Sequence, residues 1–230
     1  MLDIFKQELQ AGEPSPRSKA DITALIEEAT NRLVASGAGK HALKVGDRAP
    51  DFELSDADCN PIRSSDLLAR GALVLQFHRG AWCPYCNFEL QSLQSFVPLF
   101  RNLRANVVAI SPQTPTTSRK SIQENAVTFP ILSDLKNVVA GQFGLNQAIP
   151  EYLHELYHML DVSPFAEVGS HSNVLPIPAR YVIAEDGVIV HADINPGYTQ
   201  RIELLDLLPA LCQAATRSRL APWQNSPVAG

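Results

Sequence analysis

Two cysteines three positions apart, Cys83 and Cys86, stand in the stretch Phe77-His78-Arg79-Gly80-Ala81-Trp82-Cys83-Pro84-Tyr85-Cys86. Residues 72–77 read as a buried strand and residues 83–103 as a helix, so the pair falls where a strand gives way to a helix N-terminus. There the unpaired backbone N–H groups and the helix dipole stabilise an anion, and a thiol pKa can drop into the range of about 3.5–7.5. Three positions make about one helical turn, close enough for the two sulfurs to share a disulfide. Pro84 suits the first turn, where its missing N–H costs nothing.

Thiol redox chemistry is one use of such a pair, and three alternatives compete with it. Zinc would use Cys83 and Cys86 as half a ligand set, but Cys59 and Cys212 are isolated and offer no second half. Two inert core thiols are a second alternative. A disulfide exchanger that never meets peroxide is the third. His78 and Arg79 could stabilise a thiolate as neighbouring cations, or be surface charge at a strand end. Trp82 reads as a lid over the pair or as a core aromatic. His154-Glu155-Leu156-Tyr157-His158 fits the zinc-helix pattern His-Glu-x-x-His, but no Gly-x-x-His follows, and no metal is assigned to it. Cys59 reads as a free thiol in a polar loop. Cys212 reads as core, and is the better of those two for a distant resolving role.

The surrounding text is that of an α/β protein. Ile22, Leu25, Ile26, Ala29 and Leu33 recur at helical spacing between Asp21 and Gly37, giving a helical arm over residues 1–42. Strands at 72–77, 107–111 and 129–132 alternate with helices at 83–103, 117–125 and 137–143, the order of a parallel sheet. A further helix lies between Pro150 and Pro164. Residues 179–184 and 188–192 form an antiparallel pair across Glu185-Asp186-Gly187. A last helix spans 200–215 with Pro209 bending or breaking it. The expected division is arm 1–42, domain 43–218 and tail 219–230.

Composition limits the function classes. With 230 residues, 45% apolar and 19% charged, the chain is long enough for a sizeable core and is neither disordered nor supercharged. A net charge of −5 without any Lys/Arg cluster argues against nucleic acid as a partner. No run approaches the roughly 18 apolar residues of a membrane span or looks like a secretory signal, so a cytoplasmic location with no membrane partner is expected. Four cysteines are too few for a disulfide scaffold.

Several segments in order resemble the peroxiredoxins, the alkyl hydroperoxide reductase/thiol-specific antioxidant family, in their Cys-x-x-Cys branch. Val45-Gly46-Asp47-Arg48-Ala49-Pro50-Asp51-Phe52-Glu53-Leu54 is similar to the family's opening motif and Val108-Ala109-Ile110-Ser111 to its second core strand. Phe129-Pro130-Ile131-Leu132-Ser133-Asp134 and Tyr181-Val182-Ile183 with Asp186-Gly187 also match in order. The resemblance implies a thioredoxin-like, peroxiredoxin-type mixed sheet flanked by helices. In the family pattern Pro-x-x-x-Thr-x-x-Cys, Cys86 falls on the peroxidatic cysteine, Cys83 on the threonine and Arg79 on the proline. Glu89 matches the glutamate of the family's Cys-x-x-Glu, where it could hold a cation; the alternative is a solvated helix face. The family's second arginine falls on Pro178, and Arg180, two residues on and on the same strand face, is the candidate substitute. Trp82-Cys83-Pro84-Tyr85-Cys86 with Pro178 before a strand also resembles thioredoxin, where the first cysteine attacks.

The activity implied is a cofactor-free thiol peroxidase. By register Cys86 reacts with peroxide and Cys83 resolves it, with the roles reversed for disulfide exchange. Hydrogen peroxide or an organic hydroperoxide is the substrate, and thioredoxin, glutaredoxin or glutathione the reductant. A homodimer is one option, since dimers are common in the family. The alternative is a thioredoxin-like protein disulfide oxidoreductase or redox sensor with Cys83 as nucleophile. A thioredoxin-fold binding module comes third.

Overall fold

The computed structural model describes residues 19–160, 164, 173–197 and 203–220. In chain order these residues form α1 (Lys19–Ala35), β1 (Glu53–Ser55), β2 (Pro61–Arg63), α2 (Ser64–Leu68), β3 (Ala72–Phe77) and α3 (Pro84–Asn102). There follow β4 (Ala105–Ser111), α4 (Pro115–Glu124), β5 (Ile131–Ser133), α5 (Val138–Gln142), β6 (Asn146–Ala148) and α6 (Glu151–Met159). The series closes with β7 (Val174–Pro176), β8 (Ala179–Ile183), β9 (Ile189–Ile194), a 3-10 turn (Leu204–Leu207) and α7 (Leu208–Leu220). Residues 1–18 of the expected arm and 221–230 of the expected tail lie outside the described residues.

Seven strands form one mixed sheet in the order β2-β1-β5-β4-β3-β8-β9. β3, β4 and β5 run parallel, as the strand–helix alternation predicts, while β8 pairs antiparallel with β3 and β9 with β8. Every residue of β3 is buried because helices cover both faces. Ala72 and Val74 face a cluster with Leu90, Leu93, Val97 and Phe100 of α3 and Leu211 and Ala214 of α7. Leu73, Leu75 and Phe77 face the opposite cluster, with Phe143 and Tyr181.

Helix α3 forms because its apolar residues recur at spacings of three and four. Each fully buried side chain in that row contributes about 1.5–3 kcal/mol relative to exposure. That burial outweighs Pro98, which sits inside the helix at a cost of about 3 kcal/mol. Helix α1, within the expected arm, packs through Leu25, Ala29 and Leu33 against Leu153, Leu156 and Tyr157 of α6.

The hairpin at 185–187 forms as expected, with Gly187 at φ +80°. The last helix differs from its expected form. A 3-10 turn covers residues 204–207 and the α-helix starts only at Leu208, so the break expected at Pro209 falls in the first turn of the α-helix. That helix continues to Leu220, beyond the expected boundary at 218.

Candidate active site

Strand β3 delivers the reactive segment. The ladder continues past Phe77, since the His78 N–H donates to the Ile110 carbonyl at 3.0 Å. Period-two alternation then places Gln76 and His78 on the face that packs against α3. A short loop follows in which Gly80 has φ +140°, and the Cys83 N–H closes it by donating to the Gly80 carbonyl at 3.2 Å. Asn87 pins the same loop, its Nδ2 donating to the Ala81 carbonyl at 2.7 Å. Cys83 is the N-cap of α3, with extended dihedrals, and Pro84 opens the helix. The strand, the helix start and the proline all stand where periodicity and residue type put them.

Both cysteines are free thiols and both are shielded, Cys83 at 2% and Cys86 at 0% exposure. The Cys86 pKa lies well above the ordinary thiol value of 9.0. Its hydrogen bond to Cys83 is the largest cause; burial and the Cys83 charge add to it, and His78 opposes them. The Cys86 S–H thus donates toward Cys83 and holds its proton tightly.

This coupling has a pH signature. The folded state holds the Cys86 proton more tightly than the unfolded chain, whose thiol releases it near the ordinary 9.0. The resulting stability is present below that pH and is lost as pH rises toward the folded pKa. Thermal unfolding of the reduced protein is therefore expected to shift to lower temperature from about pH 9 upward, and less steeply in Cys86→Ser. Tyr181 is also raised by burial, but it acts equally in both proteins and cancels in the comparison. Parallel pH curves for the two would refute the raised Cys86 pKa.

Three residues first read as possible surface groups are buried. His78 is 1% exposed and is the group that draws the Cys86 pKa down. Arg79, on the alternate side of the chain, donates from Nη1 to the Tyr157 hydroxyl at 3.1 Å. Glu89 forms a buried ion pair with Arg180, so the solvated helix face is wrong for this position. The helix turns Glu89 toward the sheet because it lies three residues beyond Cys86 and one before buried Leu90.

Arg180 lies directly opposite Gln76 in the β3–β8 register and donates from Nε to Gln76 Oε1 at 2.9 Å. Pro178 is buried just before β8, next to Ala179, the partner of Phe77. Trp82 is partly buried and stacks edge-on against Tyr157, with ring centroids 5.4 Å apart. It therefore joins the cluster between α1 and α6, combining the two readings made of it.

The sequence reading missed Gln76, Gln113 and Tyr157. A glutamine inside an otherwise apolar strand was the signal for Gln76. Gln113 had a positional one, since it follows the second core strand, at the carboxyl end of a parallel neighbour. Tyr157 had none, because its helix gives no sign of where it docks.

The remaining thiols take other places. Cys59 and Cys212 are both exposed. The expectation that Cys212 is core fails because α7 buries Ala210, Leu211 and Ala214, which turns position 212 outward. His158 is exposed, and the described residues contain no group of three or more His, Cys, Asp or Glu placed to hold a metal. A cleft lined by Arg48, Asp51, Ser64, Ser65 and Asp186 also contacts Leu73 and Ile183, at the far end of β3 from the cysteines. It contains no sulfur nucleophile. No helix among the described residues is long and apolar enough to cross a membrane.

The sequence profile described as the AhpC/TSA family matches residues 45–192. A Mycobacterium tuberculosis protein named as a putative peroxiredoxin is 35% identical over 107 residues, covering 46% of this chain and 70% of that one. The thiol-disulfide oxidoreductase ResA of Geobacillus thermodenitrificans is 30% identical over 107 residues, covering 46% and 60%. Among solved structures, the peroxidoxin BcpB of Mycobacterium tuberculosis superposes with a TM-score of 0.56 at 25% identity, covering 77% of this chain and 97% of that one.

Proposed function

The chain belongs to the AhpC/TSA family, and from that premise we propose that it is a thiol-dependent peroxidase working through the Cys83/Cys86 pair. The observation that carries the proposal is the pair of shielded free thiols at the start of α3, Cys83 as its N-cap and Cys86 in its first turn. A thiolate sulfur attacks one peroxide oxygen, the S–O bond forms and the O–O bond breaks. The departing hydroxide or alkoxide takes a proton and leaves as water or alcohol. The second thiol then attacks the sulfenic sulfur, closing a disulfide and expelling water. An external dithiol restores the pair by exchange, and thioredoxin, glutaredoxin or glutathione in a reducing cytoplasm fits that role.

We assign the first attack to Cys83, the N-cap of α3, where the helix terminus favours an anion, and the resolving step to Cys86, whose raised pKa keeps its proton until it is needed. The family register supports the opposite order. His78 favours the Cys86 thiolate in the resolving step. Arg180 acts as a positioning residue, holding α3 to β8 through Glu89. Trp82 and Pro178 wall the site.

A second reading, protein disulfide exchange through Cys83, draws on the same N-cap position of Cys83 and on the likeness to ResA. One experiment separates the two. Fully reduced protein is mixed with one equivalent of hydrogen peroxide, quenched over milliseconds to minutes and mapped by mass spectrometry. Rapid formation of a Cys83–Cys86 disulfide is expected. Oxidation no faster than that of a free thiol would leave disulfide exchange as the function.

A further inference from the structure

Gln113 is fully buried, yet neither Nε2 nor Oε1 of its amide has a protein partner among the described residues. The Trp82 indole Nε1 is in the same position. Both groups converge on one point of the loop that ends in Cys83. A methyl group at Gly80 would lie 2.9 Å from Trp82 Nε1 and 3.4 Å from Gln113 Oε1. Gly80 in turn accepts the Cys83 N–H at 3.2 Å, so this point is one tight turn from the sulfur nucleophile.

The fold holds these groups in place. Gln113 follows β4, whose end is tied to the reactive segment by the His78–Ile110 hydrogen bond. The backbone N–H of Gln113 is fixed by Ser111 Oγ at 3.4 Å, and Thr114 next to it caps α4. The site thus lies at the carboxyl ends of two adjacent parallel strands, with the partly buried Trp82 ring as its outer wall.

We propose that Gln113 and the Trp82 indole N–H bind the peroxide, Gln113 Oε1 holding its O–H and the indole donating to its departing oxygen. The chemistry of the two groups matches that ligand. An indole N–H can only donate, whereas an amide both donates and accepts. A hydroperoxide O–H donates to Gln113 Oε1 before reaction. As the Cys83 sulfur forms its S–O bond and the O–O bond breaks, negative charge grows on the departing oxygen, and the Trp82 indole N–H stabilises it. The proton that completes water or alcohol arrives from solvent or the Cys86 thiol.

This inference rests on the thiol peroxidase reading, and the test separates the two. Stopped-flow rate constants are measured for reduced protein with hydrogen peroxide and, in parallel, with a small aromatic disulfide that has no departing oxygen. Gln113→Leu is expected to slow the peroxide reaction about 100-fold while leaving the disulfide reaction within about twofold. Trp82→Phe keeps the ring and removes one N–H, with an expected loss of about tenfold toward peroxide only. It decides the matter should Gln113→Leu fail to fold. A parent that reacts rapidly with peroxide, and variants that react equally fast or slow equally toward both reagents, would overturn the Gln113 assignment alone. A parent no faster than free cysteine overturns the peroxidase reading and this inference with it.

Discussion

Cys83→Ser is expected to lower the second-order rate constant with hydrogen peroxide by on the order of 10³-fold, because it removes the N-cap thiol assigned the first attack. Cys86→Ser is expected to keep the first step and stop at the sulfenic acid, which a dimedone-type probe would trap on Cys83. The asymmetry follows from the position of the pair: Cys86 keeps its proton because it hydrogen-bonds to Cys83, because it is buried, and because charge at Cys83 opposes its own ionisation. Removing Cys83 lifts the first and third of these effects but leaves burial, so Cys86 becomes more acidic yet still bears the cost of desolvation. Residual activity in Cys83→Ser would be small and would rise with pH. Trapping on Cys86 in the Cys83→Ser protein at the parent rate would assign the attack to Cys86, where the family register puts it.

Much of this site is legible in the amino-acid sequence. A strand at 72–77 and a helix after Cys83 follow from periodicity and proline placement, and both formed. Parallel order among β3, β4 and β5 follows from strand–helix alternation. The three-residue strands β1, β2, β6 and β7 are not legible, because three residues carry no measurable period. Nor is the burial of His78, Arg79 and Glu89. Charged side chains default to solvent unless a partner is known, and the partners lie far along the chain: Tyr157 for Arg79 and Arg180 for Glu89. Spacing along one helix placed Glu89 near Cys86. Only the register of β8 against β3 brought Arg180 to it.

The two strand faces divide the work. Gln76, His78 and Arg180 share the α3 side by alternation, and with Cys86 and Glu89 they make a polar layer inside an apolar cluster. Arg79 lies on the alternate side and ties the reactive loop to α6 through Tyr157, which also stacks on Trp82. The arm helix α1 supports that contact through Leu25, Ala29 and Leu33. The thiol pair is thus fixed from the sheet by electrostatics and from the outside by packing.

The polar layer yields the largest expected change in stability. Arg180 and Glu89 are 2% and 4% exposed, so removing either partner strands a full charge in the core. Glu89→Leu or Arg180→Met alone is expected to cost about 3–5 kcal/mol, measured by denaturant unfolding of the reduced protein. The double variant should cost less than either single change, because no uncompensated charge remains and apolar side chains fill the space. It still leaves the Gln76 carbonyl oxygen without the Arg180 Nε donor now 2.9 Å away, a residual penalty of about 1 kcal/mol. Additive losses in the double variant would mean that the two residues act independently and that the ion pair does not organise the layer. Activity adds a second constraint. If Arg180 only positions α3, the double variant, once folded, retains a peroxide rate within about tenfold of the parent with an unchanged pH profile. If its charge reaches the thiol pair directly, the profile moves to higher pH, because a cation that had favoured the thiolate is gone.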